Sequence, residues 1–144
     1  MSEIKDLLSK HKSIAMVGVS KDLKKTSTIV MRYMQEYGFK VYPVNPSATG
    51  EKILGEKVYA KITDIKETID IVDVFRPSNE AYEIAKDAVK IGAKVLWLQL
   101  GIRDENAKKL VEDNNIEYIE NKCTKMEYQK HFLKVRQAFP ALSD

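Results

Sequence analysis

Five short apolar runs punctuate this chain, and the stretches between them carry helical periodicity. The runs are Ile14–Val19, Phe39–Val44, Ile71–Phe75, Val95–Leu100 and the weaker Ile116–Ile119. They are rich in β-branched and aromatic residues and almost uninterrupted, the pattern of parallel strands covered on both faces. Between them, Ser27–Tyr37 sets Val30, Tyr33, Met34 and Tyr37 along one stripe ahead of Gly38. Ser78–Ile91 aligns Ala81, Ile84, Ala85, Ala88 and Val89, with Ser78 as the expected cap and Gly92 as the stop. Asp104–Asn114 carries Ala107, Leu110 and Val111 behind an Asp104 cap. These are helix start and stop signals around an amphipathic period. A short helix over Ile4–Ser9 and a longer one from about Thr124 to Phe139 are expected to flank the core.

Strand–helix–strand units repeated with short connections specify right-handed crossovers and an open sheet. The expected fold is α/β: a Rossmann-like three-layer sandwich, its five-stranded, mostly parallel sheet in the order 3-2-1-4-5, with helices on both faces. At 144 residues the chain fits a single domain, 1–144, able to bury its own core. Asn45–Asp70 breaks the rhythm. It holds Pro46, Gly50 and Gly55 and is expected to contain a short strand near Val58–Tyr59 and a helical turn near Asp64–Glu67. Long connections of this kind often cover a ligand.

Charge narrows the class of partner. The 24 basic and 21 acidic residues leave a net charge of +3, too small and too evenly spread to argue for nucleic acid. The charged start, MSEIKDLLSKHK, lacks the apolar core of a secretion signal, and no run has the length of a membrane span. Cys123, the one cysteine, suits a reducing cytoplasm, and His11 and His131 are too few for a usual zinc site. The expectation is a cytoplasmic protein with no metal, no membrane and no nucleic acid partner. A homo-oligomer is compatible with the sequence.

In a sheet of this kind ligands sit beyond the carboxyl ends of the strands, where the strand order reverses. Four segments converge there: Gly18–Thr28, Asn45–Gly50, Arg76–Ser78 and Gln99–Arg103. Gly18 lets the backbone turn and approach a ligand closely. Ser20, Thr26, Ser27 and Thr28 offer hydroxyls, Lys21, Lys24 and Lys25 offer charge, and a helix N-terminus follows. That chemistry suits a phosphate or diphosphate; a helix start behind a solvated lysine loop has the same composition. A dinucleotide fingerprint is not met, because Ser20 and Leu23 stand where glycines are needed. The second strand also ends Val44-Asn45-Pro46, with no carboxylate for ribose hydroxyls. Gly18 through Lys25-Thr26 fails a Walker loop for lack of a glycine before the lysine.

Gly18-Val19-Ser20, Val44-Asn45-Pro46, Asp70 through Pro77, Trp97 through Ile102 and Asn121-Lys122-Cys123 occur in one order. In that order the chain, from about Lys12 to Lys130, resembles the stand-alone CoA-binding proteins. These are similar to the N-terminal domain of succinyl-CoA synthetase α subunits and of ADP-forming acyl-CoA synthetases. The resemblance implies coenzyme A as ligand. It implies contacts from Gly18, Val19 and Ser20 to the diphosphate, with Asn45 and Pro46 beside them. Phe75, Arg76 and Pro77 would pack near the adenine, and Gln99, Leu100 and Gly101 near the adenine or the start of the pantetheine arm. Where the synthetases carry a phosphate-binding lysine, this chain has Ala48, which leaves the 3′-phosphate to Lys24, Lys25 or Lys52. Ser27 completes the candidate set.

No catalytic constellation is legible. Synthetase chemistry relays phosphate through a histidine on a second domain, and neither His11 nor His131 matches such a loop. The expected function is non-catalytic binding of CoA or an acyl-CoA in a carrier, sensing or regulatory role. The alternatives are a Rossmann-type enzyme or regulator using another nucleotide such as NAD(P), and a protein adaptor that has lost its ligand. Arg76 beside Glu80 reads equally as a surface ion pair, Trp97 and Phe75 as core, and Cys123 as a buried apolar residue or a thiol activated by Lys122 and Lys125.

Overall fold

The computed structural model describes residues 3–133. A parallel sheet is built from β1 (Ser13–Val17), β2 (Lys40–Val44), β5 (Ile71–Val74), β6 (Val95–Leu98) and β7 (Glu117–Ile119), in the spatial order β2-β1-β5-β6-β7. A two-stranded antiparallel hairpin, β3 (Lys52–Ile53) and β4 (Glu56–Lys57), lies within the long connection. The Rossmann-like arrangement is as expected. Counted as five strands, the order reads 2-1-3-4-5. Outside β2, Tyr59 makes a single parallel bridge to Val44, and counting that segment as the third strand gives 3-2-1-4-5-6, with the expected 3-2-1-4-5 inside it.

Alternation along the strands sends side chains into two cores. On one face Ile14, Met16, Ile71 and Trp97 meet α1 (Ile4–Lys10), α2 (Thr26–Glu36) and α5 (Thr124–Tyr128) through Leu8, Met31, Met34 and Cys123. On the other Ala15, Val72, Val74, Leu96 and Leu98 meet α3 (Ala81–Ile91) and α4 (Glu105–Asp113) through Ala81, Ala85, Ala88, Ala107 and Val111. The small residues of α3 let that helix lie close to the sheet.

Asp104 caps α4 as expected, its Oδ2 accepting from the Ala107 N–H at 2.8 Å. Gly92 ends α3 with φ at +70°. Ser78 does not cap α3. It opens a 3-10 turn, Ser78–Glu80, and its Oγ accepts from the Arg103 N–H at 3.1 Å, so the helix starts at Ala81. The helical turn expected near Asp64–Glu67 lies earlier, at Ile62–Asp64. After α5 the chain widens into a π turn, Gln129–Leu133, and the remainder of the helix expected to reach Phe139 lies outside the described residues.

A polar cluster of Asp73, Gln99 and Thr124 is buried beside the first core. Asp73, in the middle of β5, is fully inaccessible; its Oδ1 accepts from Gln99 Nε2 at 2.6 Å and its Oδ2 from the Thr124 hydroxyl at 3.0 Å. Burial pushes its carboxyl up to about 7, against the opposing pull of those two hydrogen bonds. The cluster ties the ends of β5 and β6 to the first turn of α5.

Candidate functional site

A cavity of about 510 Å³ opens at the carboxyl ends of β1 and β2. Val17, Gly18 and Ser20 form one wall, Val44 through Ser47 a second, Ala60 through Ile62 a third, and Arg76, Glu80, Ile84 and Asp87 the last. Its volume is that of a small-molecule pocket. The long connection supplies the Ala60–Ile62 wall.

The floor is set by the first turn. Gly18 leaves β1 with φ at +95°, its N–H bonded to the Val44 carbonyl at 2.8 Å. A Cβ there would stand 2.8 Å from Arg76 Cδ and 3.2 Å from the Phe75 carbonyl oxygen, so the position requires glycine twice over. Asn45 then fastens β2 to this turn. Its Nδ2 donates to the Val19 carbonyl at 2.8 Å, and its Oδ1 accepts from the Ser47 N–H at 2.9 Å, starting a 3-10 turn at Pro46. The Asn45 side chain is thereby committed to shaping the wall.

The hydroxyls after Gly18 are largely engaged in holding their own loop. Ser27 Oγ accepts from the Ser20 N–H, Ser20 Oγ accepts from the Asp22 N–H, and the Thr28 hydroxyl is directed at the Ser20 and Asp22 carbonyls. Ser20 and Ser27 accept in these bonds, so each retains a proton to donate.

Of the candidates read from sequence, Gly18, Ser20, Asn45, Pro46 and Arg76 meet around the cavity. Val19 is fully buried in the core, and Ser27 is buried beneath the turn. Lys24 and Lys25 are exposed on the loop before α2 and do not line the cavity. Phe75 is half-buried and Pro77 exposed on the same edge of the sheet. Gln99 is buried in the Asp73 cluster, where its Nε2 also reaches Thr124 Oγ1 at 3.0 Å. Leu100 is 58% exposed. Gly101, with φ at +82°, donates its N–H to Asn121 Oδ1 at 2.7 Å, tying the two outer loops together.

Ala48 is buried, so its side chain belongs to the core and not to the cavity. Lys61 supplies a cation from a different place, and no ion pair engages it among the described residues. Sequence reasoning missed Lys61, Glu80 and Asp87. Their signal was weak: Lys61 sits in an irregular connection, and the two acids follow the polar period of α3.

Three residues take their plainer readings. Trp97 is fully buried and donates its indole N–H to the Lys122 carbonyl at 2.8 Å. The Cys123 thiol is buried, the plainer of its two readings, and burial pushes its pKa up against the Met126 and Lys125 backbone N–H groups that pull it down. His131, in the turn after α5, lies 3.4 Å from Glu127 and does not line the cavity. No helix among the described residues is long and apolar enough to cross a membrane.

Residues 12–129 match the family model of the CoA binding domain. The uncharacterized protein YneT of Bacillus subtilis (strain 168) is 35% identical over 125 residues, covering 87% of this chain and 91% of YneT. The ADP-forming acetate–CoA ligase of Methanocaldococcus jannaschii is 29% identical over 87 residues, covering 60% of this chain and 12% of the ligase. Among solved structures, that of cell-free ID.343 from Thermus thermophilus superposes with a TM-score of 0.87 at 34% identity, over 92% of this chain and 100% of that one.

Proposed function

From the premise that this chain belongs to the CoA-binding domain family, we propose that it is a single-domain binder of coenzyme A or an acyl-CoA, with no chemistry of its own. The observation that carries this reading is the cavity floored by Gly18 at the switch point of the sheet. Its size suits the nucleotide end of such a ligand. The ligand's diphosphate lies against Gly18 and Ser20, with Pro46 and Arg76 alongside. The adenine packs near Phe75, Arg76 and Pro77, and the exposed Leu100 and Gly101 lie near the adenine or the start of the pantetheine arm, all at the carboxyl ends of the strands.

The lining supports a binding role. Its side chains are Ser20, Asn45, Ser47, Lys61, Arg76, Glu80 and Asp87 among apolar groups, with no histidine or cysteine in the wall. Ser20 Oγ is hydrogen-bonded to a backbone N–H and not to a base. A carrier or sensing role follows, in which the bound ligand is presented and not converted.

Calorimetry with CoA, acetyl-CoA and NAD tests the reading, together with mass spectrometry of any ligand retained through purification. CoA or its thioester should bind, and NAD should bind much more weakly. Preference for NAD would overturn the proposal.

A further inference from the structure

Arg76 and Glu80, four residues apart, both line the cavity and pair with each other. The guanidinium meets the carboxylate side-on: Nε donates to Oε1 at 2.9 Å and Nη2 to Oε2 at 2.8 Å. Mutual hydrogen bonding holds Glu80 below the usual carboxylate range and Arg76 above its own ordinary value. The arginine's arm lies over the Gly18 turn, with Cδ and Cγ 2.8 and 3.3 Å from where a glycine Cβ would stand. Arg76, the cation packed against the turn, is therefore already paired. Lys61 and Asp87, the other charges of the lining, do not pair with it.

The pairing is of a kind that can be exchanged. Both side chains are close to half exposed, 46% and 44%, where an ion pair contributes little and is easily broken. A phosphoryl group presents two oxygens to the same Nε–Nη2 edge as a carboxylate does. That edge cannot serve both.

We infer that Glu80 is an internal competitor for the phosphate of the ligand: the Nε–Nη2 edge of Arg76 that meets Glu80 is the edge the phosphate would take, and binding exchanges one for the other. This rests on the reading of the cavity as a phosphate-ligand site and names what sets its affinity. Glu80 lowers the affinity that Arg76 would otherwise give.

The test measures binding of CoA and, separately, of inorganic pyrophosphate to the full chain and four variants, each checked for folding by thermal melting. Glu80→Gln should tighten binding by roughly fivefold, as removal of an exposed competing pair and one nearby charge predicts. Asp87→Asn removes the same charge from the lining without touching Arg76, and should tighten binding less. Arg76→Ala should weaken binding, and in that background Glu80→Gln should lose its effect, the non-additivity of two residues acting as one unit. Unchanged or weaker binding by Glu80→Gln would show that Glu80 only positions Arg76 and would overturn the exchange. So would equal tightening with and without Arg76, which marks general repulsion. Pyrophosphate binding without CoA binding would remove the CoA reading and leave the exchange to be judged on the variants. If neither probe binds the parent protein, both fall.

Discussion

Gly18 joins two constraints that usually occur separately. Its positive φ costs an L-residue about 1–2 kcal/mol, and the space its Cβ would fill is already held by Arg76 and the Phe75 carbonyl. Gly18→Ala should therefore lower unfolding stability by at least that ~1–2 kcal/mol in urea titrations and weaken CoA binding by displacing the Arg76 arm. A variant as stable as the parent, with unchanged affinity, would mean that the turn relaxes freely and the ligand is held elsewhere. The lysines divide similarly by position. Lys61 faces the cavity, whereas Lys24 and Lys25 lie outside it, so Lys61→Ala should cost more CoA affinity than Lys24→Ala/Lys25→Ala. Calorimetry at low and high salt checks this, and a larger loss from the double variant would restore the loop lysines to the site.

Asp104 illustrates how an element is stabilised at its start. Its carboxylate accepts from the Ala107 N–H, while the Tyr118 hydroxyl accepts from the Asp104 N–H at 3.1 Å. Asp104→Ala should cost about 1 kcal/mol, the usual worth of such a cap, measured by thermal or urea melting. That cap was legible because aspartate preceded an amphipathic period. The five strands were legible for a related reason: sheets covered on both faces demand short, β-branched apolar runs such as Ile71–Val74. The hairpin β3–β4 was not, since strands of two residues built from Lys52, Ile53, Glu56 and Lys57 have no period to read. Within the site, Gly18, Ser20, Asn45, Pro46 and Arg76 were legible because each follows a strand end, where the fold gathers ligands. Glu80 and Asp87 resemble any solvated positions at a helix start and along its face, and only the packing of α3 against the Ile62 turn brings them to the cavity.

Across the whole molecule, the buried Asp73 links folding to pH. Its folded pKa, about 7, lies above that of an exposed aspartate, so the protonated form is the one that folds best. Stability from this group is fully present below about pH 4 and is lost as pH rises toward 7, a span worth on the order of a few kcal/mol. Asp73→Asn keeps an acceptor for Gln99 and offers a donor to Thr124, so it should remove the decline and be the more stable protein at pH 8. Urea titrations of both proteins from pH 5 to 8 check this; parallel curves would show that the carboxyl does not titrate in that range. The readout is built into the chain. Trp97 is the one tryptophan, wholly enclosed and paired with Asp73 across the β5–β6 ladder. Native emission therefore arises from a single dry site next to the titrating group, and unfolding moves that lone fluorophore into water, shifting its spectrum to the red with no second indole to blur the transition.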